Sequence, residues 1–133
     1  MEPPQKILIV EDEDSLRSVL SDEFVEQGFE VLHAQDGAEG LSRALREEPD
    51  LILLDVIMPV MDGITMLQWV RKENEWGQNV PVILLTNLTP TDDAVESFEK
   101  LREQGGMTNL TYIQKSEWLL SDVVEAVREQ LAR

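Results

Sequence analysis

The chain has 133 residues, 27 of them Asp or Glu and 11 Lys or Arg, for a formal net charge of -16. A field of that sign repels nucleic acid and anionic membrane and attracts divalent cations and basic partner surfaces. Cysteine is absent, which excludes disulfides and thiolate metal sites. The N-terminal "MEPPQK" has no apolar signal core, and no apolar run approaches the ~18 residues of a membrane span, so no membrane insertion and a cytoplasmic location are expected. The length suits a single domain over 1–133, with 1–5 as a flexible tail and no room for an output domain.

"KILIV" (6–10) is a β-rich apolar run. Residues 14–27 carry Leu16, Val19, Leu20 and Phe24 as a helical stripe, closed by Gly28. "FEVLHA" (29–34) alternates like a half-buried strand, and a turn signal, "DG", follows. Residues 38–48 place Ala38, Leu41, Ala44 and Leu45 on one helical face, and Pro49 stops the helix. "LILLD" (51–55) is apolar until it ends on Asp55. Ile64, Leu67 and Val70 predict a helix over 64–74, and "VPVILLT" (80–86) a fourth strand. Pro90 opens a helix through "TDDAVESFEKLREQ" that Gly105 and Gly106 end. "LTYIQ" (110–114) is a fifth strand, and Leu119, Leu120, Val123, Val124, Val127 and Leu131 line a last helix.

Strands alternating with helices predict a parallel sheet covered on both faces, an α/β fold. Strands one, three and four are the most continuously apolar and belong in the middle. Open parallel sheets bind ligands at the C-terminal ends of their strands. Asp55 ends strand three and "EDED" (11–14) follows strand one, so Glu11, Asp12 and Asp55 converge if those strands are neighbours. Close carboxylates repel unless a cation sits among them, and hard oxygen donors with open positions suit Mg²⁺. Glu13 and Asp14 read more simply as an acidic helix N-terminus. Thr86 and Lys115 end strands four and five. Together the set offers a carboxylate nucleophile, charge neutralisation and a hydrogen bond to a transferring phosphoryl group.

Over nearly its whole length the chain resembles a bacterial two-component response-regulator receiver domain. The acidic pair Glu11–Asp12, the run "DVIMPVMDG" (55–63), Thr86, Tyr112 and Lys115 carry the resemblance. It implies a flavodoxin-like, doubly wound sheet of order 2-1-3-4-5. It implies that Asp55 accepts a phosphoryl group from a sensor histidine kinase or a histidine phosphotransfer protein. Mg²⁺ would be held by Asp12, Asp55 and the main-chain carbonyl of Ile57, with Glu11 acting through water. Thr86, Lys115 and the main-chain amide of Asn87 would contact the phosphoryl group. Thr86 and Tyr112 would switch the face built from the helix at 90–104, strand five and the last helix, toward a downstream protein target. The domain would catalyse only its own phosphorylation and dephosphorylation, bind no nucleic acid directly, and be a monomer or weak dimer.

Two positions depart from the family pattern: Asn87 stands where a small residue is usual, and Ser116 where proline follows the lysine. Without proline a cis Lys115–Ser116 bond costs about 2.5–4 kcal/mol, so a trans bond is expected. Ile57 and Leu88 flank the approach of water to the phosphoryl group in the family. Neither has a group that orients water, so slow dephosphorylation is expected. The rival classes are an aspartyl phosphohydrolase, a receiver-like binding module that takes no phosphate, and a flavin module. The first lacks a second acid, having Ile57 at that place. The intact acids, Thr86 and Lys115 argue against the second, and no Gly/Ser/Thr-rich phosphate loop supports the third. His33 reads as a packing or edge residue. Trp69, Trp76 and Trp118 read as packing or loop anchors, and Met58, Met61 and Met66 as loop and core packing. "QGGMTN" (104–109) reads as a flexible connection.

Overall fold

The middle of the sheet is made by the chain's most apolar runs. In the computed structural model, which describes residues 3–56, 58, 60–86, 109–114 and 119–132, the elements follow in chain order. They are β1 (Lys6–Val10), α1 (Asp14–Glu26), β2 (Glu30–Ala34), α2 (Gly37–Glu47), β3 (Leu51–Asp55), α3 (Gly63–Glu73), a short α4 (Glu75–Asn79), β4 (Val82–Thr86), β5 (Leu110–Gln114) and α5 (Leu120–Leu131). The five strands pair in parallel in the order β2-β1-β3-β4-β5. Every residue of β3 is buried, as a strand covered on both faces requires. β2, at the edge, is half-buried, with only Glu30 and His33 exposed.

Alternation along the strands splits the core into two layers. Leu8, Val10, Ile52, Leu54, Val82 and Leu84 face Ala44 of α2 and Ile64, Leu67 and Val70 of α3. Ile7, Ile9, Leu51, Leu53, Ile83 and Leu85 face Leu20 and Phe24 of α1 and Val123 and Val127 of α5. Most boundaries fall within two residues of the sequence reading, and the differences have local causes. α1 ends with Gly28 at φ 96, its N–H bonded to the carbonyl of Val25 at 3.0 Å. β4 begins at Val82 rather than residue 80 because the N–H of Val80 turns back to Trp76 at 2.9 Å and Pro81 has none. The sequence reading missed α4, which Asn74 caps by accepting from the N–H of Gly77 at 2.8 Å. The helix expected at 90–104, most of "QGGMTN", and Trp118 lie outside the described residues.

Two buried polar side chains contrast. Arg71 is 8% exposed, and its Nη1 donates to the carbonyls of Gly77 at 2.9 Å and Val80 at 2.7 Å, tying α4 and the entry to β4 onto α3. Burial pushes its pKa down to about 10, which still leaves it charged at neutral pH. Ser21 is equally buried, but its hydroxyl finds no partner among the described residues. Arg71→Leu removes the donor for two buried carbonyls and is expected to lower stability by roughly 3 kcal/mol. Ser21→Ala removes an unsatisfied hydroxyl and improves helix propensity, and is expected to raise stability by about 1 kcal/mol. Urea midpoints at an unchanged m-value check both. Equal midpoints for the parent and Arg71→Leu would refute the first.

Candidate functional site

The register of β1 against β3 builds the site. Val10 pairs with Leu54, so the next residues, Glu11 and Asp55, emerge side by side at the C-terminal edge. Carboxylate oxygens of Glu11, Asp12 and Asp55 all lie within 4.8 Å of one another. Glu11 is 2% and Asp55 5% exposed, while Asp12 faces solvent. Two acids are therefore buried beside a third. Such an arrangement repels itself unless positive charge is supplied. Three hard oxygen donors, one open to water, fit a divalent cation of the Mg²⁺ kind.

Main-chain bonds fix both ends of the triad. The N–H of Glu11 donates to Ala34 at 3.0 Å. Its carboxylate accepts from the N–H of Glu13 at 3.1 Å, and its carbonyl from Nη1 of Arg17 at 2.7 Å. After Asp55, Val56 continues the ladder to Leu85 at 3.3 Å, and its carbonyl accepts from Gly63 at 2.9 Å. The "DG" after the acid now has a cause. Asp62 caps α3 by accepting from Thr65 N–H at 2.8 Å. Gly63 packs so tightly that a Cβ there would lie 2.2 Å from the carbonyl oxygen of Asp55. Between them Val60 is held at φ 69 and is 83% exposed, a strained position for a β-branched residue.

Glu13 and Asp14 sit at the start of α1, as expected, and Asp14 pairs with Arg17. Thr86 ends β4 and Tyr112 lies within β5 opposite Leu84. Ile57, Asn87, Leu88, Lys115 and the Lys115–Ser116 bond lie outside the described residues. His33 is exposed on the edge strand. Met58 and Met66 are buried, and Met61 packs against the same core. The indole N–H of Trp76 anchors to Pro49 at 3.0 Å, whereas Trp69 is exposed rather than packed: α3 turns that position to solvent. The sequence reading passed over Arg17. Its only signal was a cation three residues after Asp14, on the first turn of the helix that follows the acidic pair.

Residues 7–116 match the family described as the response regulator receiver domain. The chain belongs to that family. Among its relatives, the transcriptional regulator ycf27 of Porphyridium aerugineum is 40% identical over 95 residues, which cover 71% of this chain and 38% of that protein. The DNA-binding dual master transcriptional regulator RpaA of Synechocystis is 34% identical over 94 residues, 71% of this chain and 39% of that protein. The chain thus spans less than two fifths of those relatives. The Francisella response regulator 1452 receiver domain superposes with a TM-score of 0.79 at 28% identity, covering 97% of this chain and 98% of that one. The receiver domain of sensor histidine kinase PA1611 from Pseudomonas aeruginosa, solved with magnesium in its active-site cleft, gives 0.81 at 25% identity, covering 98% and 99%. This chain is therefore a response-regulator receiver domain of the two-component kind. The expectation of no nucleic-acid binding finds no support here, because receivers of this sequence type occur in a DNA-binding regulator. Charge on this segment says nothing about a domain attached to it. Among the described residues no helix is long and apolar enough to cross a membrane.

Gly63→Ala tests the close approach. The added methyl must displace Asp55 or the start of α3, with an expected loss of about 1–3 kcal/mol in stability. A parent-like thermal midpoint in the variant would mean that the backbone yields there without strain.

Proposed function

We propose that Asp55 is the phosphoacceptor and that Asp12, Asp55 and the main-chain carbonyl of Ile57 hold Mg²⁺, with Glu11 acting through water. The observation that carries this reading is the burial of Asp55 at the end of β3, within 4.8 Å of two further carboxylates. The magnesium reported in the PA1611 receiver supports it. Mg²⁺, when bound, would offset the charge on the phosphoryl oxygens and among the acids. Asp55 supplies a carboxylate oxygen that attacks phosphorus in line. One O–P bond forms as the P–N bond to the kinase imidazole breaks, and the imidazole regains its proton from solvent. Burial and the pinned strand end keep that oxygen in one orientation. Lys115 gives a second positive charge to the phosphoryl oxygens. The hydroxyl of Thr86 and the amide of Asn87 donate hydrogen bonds to them. Thr86 and Tyr112 then reshape the face of the segment 90–104, β5 and α5 that a downstream protein reads.

Intact mass after incubation with Mg²⁺ and acetyl phosphate tests the assignment. One phosphoryl group is expected on the parent and none on Asp55→Asn. Asp12→Ala is expected to weaken Mg²⁺ binding and slow labelling together. Labelling of Asp55→Asn, or labelling undiminished in excess chelator, would overturn the reading.

The same chemistry bears on lifetime. Hydrolysis of the phosphorylated Asp55 needs a water in line with the O–P bond. Ile57 and Leu88 offer no polar atom to orient one, so slow decay is expected. The double variant Ile57→Asn, Leu88→Glu should lose its phosphoryl group several-fold faster, followed by intact mass over time. Decay no faster than the parent's would remove these positions from control of the water.

A further inference from the structure

The helices that start beside the acidic rim are not anchored alike. α2 and α3 are capped by Asp36 and Asp62, each accepting from a main-chain N–H at 2.8 Å. α1 begins at Glu13, which makes no side-chain cap. The turn from β1 into α1 carries Glu11 and Asp12, so it is the turn whose geometry matters most to the triad, and it lacks the usual anchor. Arg17 acts from the side of the helix instead. Its Nη1 donates to the carbonyl of Glu11 at 2.7 Å, and its Nη2 pairs with Asp14, which orients the planar fork. The side chain is only 18% exposed. The carbonyl that it holds belongs to the peptide joining Glu11 to Asp12. Asp12 is exposed, so its placement follows from the main chain that carries it.

The charge of a guanidinium offsets repulsion among the acids, but it cannot favour a bound metal. A cation beside three carboxylates opposes the binding of a second cation. Its benefit has to come from geometry. We propose that Arg17 is a positioning residue: it fixes the Glu11–Asp12 peptide so that the three carboxylates converge, and thereby sets the affinity of the triad for a divalent cation. This rests on the reading of the triad as a Mg²⁺ site.

Two variants of the full chain separate geometry from charge: Arg17→Lys keeps the charge and loses the fork, and Arg17→Gln loses both. Mg²⁺ titration by calorimetry is expected to show binding weakened about tenfold in each, as for other residues that orient metal ligands. Without metal, hydrogen exchange at the amide of Glu13, which donates to the Glu11 carboxylate, is expected to quicken in both variants while the urea midpoint stays near the parent's. Parent-like Mg²⁺ affinity in Arg17→Lys, or tighter binding in Arg17→Gln, would overturn the positioning role and leave the metal reading intact. A parent chain that binds no Mg²⁺ would overturn the metal reading and this inference with it.

Discussion

Everything at this site follows from two parallel strands that end on acids in matched register. β1 and β3 are neighbours, Val10 lies opposite Leu54, and the next residue on each strand is a carboxylate. Like charges are thereby brought together at a buried edge, where their repulsion is poorly screened. A fold chosen only for stability has no use for that arrangement. The surrounding hydrogen bonds fix each strand end against its other neighbour, so the acids keep their places despite the repulsion: Glu11 to Ala34, Val56 to Leu85, Gly63 to Val56.

The rigidity of the rim comes from short ties, not from packing alone. The loop after Asp55 is held at Val56 by the first residue of α3 and at the carbonyl of Met61 by the first residue of α2. Two helix starts thus clamp one loop. That clamp lets Val60 persist in a left-handed conformation, which costs a β-branched residue about 1–3 kcal/mol. The strain is local and exposed, while the acid a few residues away stays fixed.

The central strands and the acidic triad were legible because both follow from patterns in adjacent residues, whereas the full strand order came with the family resemblance. Uninterrupted apolar runs named β1, β3 and β4 as central, and acids directly after two of those runs named the site. Other features depend on side chains that reach main-chain carbonyls six or nine residues away: Arg17 to Glu11, and Arg71 to Gly77 and Val80. Such bonds leave no periodicity to read. An arginine near a helix end looks like any solvated arginine until the chain folds back to meet it. α4 was lost for a related reason, since five residues after an asparagine cap are too short to show a helical stripe. Charge speaks at a different level. Acidity of this segment argues against nucleic acid only for the field of one domain, and a relative of more than twice the aligned length is a DNA-binding regulator.

That same acidity constrains how a phosphorylated receiver can be read. A phosphoryl group carries about two negative charges at neutral pH, but on Asp55 it replaces the carboxylate's one, so the net change is about one charge on a chain already at -16. The field beyond a Debye length of about 8–10 Å changes little by comparison. A partner that sensed overall charge would hardly distinguish the two states. The change is large only within hydrogen-bonding reach of the rim, where each new acceptor oxygen demands a donor. On the proposed reading, the readout runs through donors near the strand ends that shift position, and through the packing that follows them. The pinned β1 and β3 ends supply the fixed frame against which such a shift can be measured.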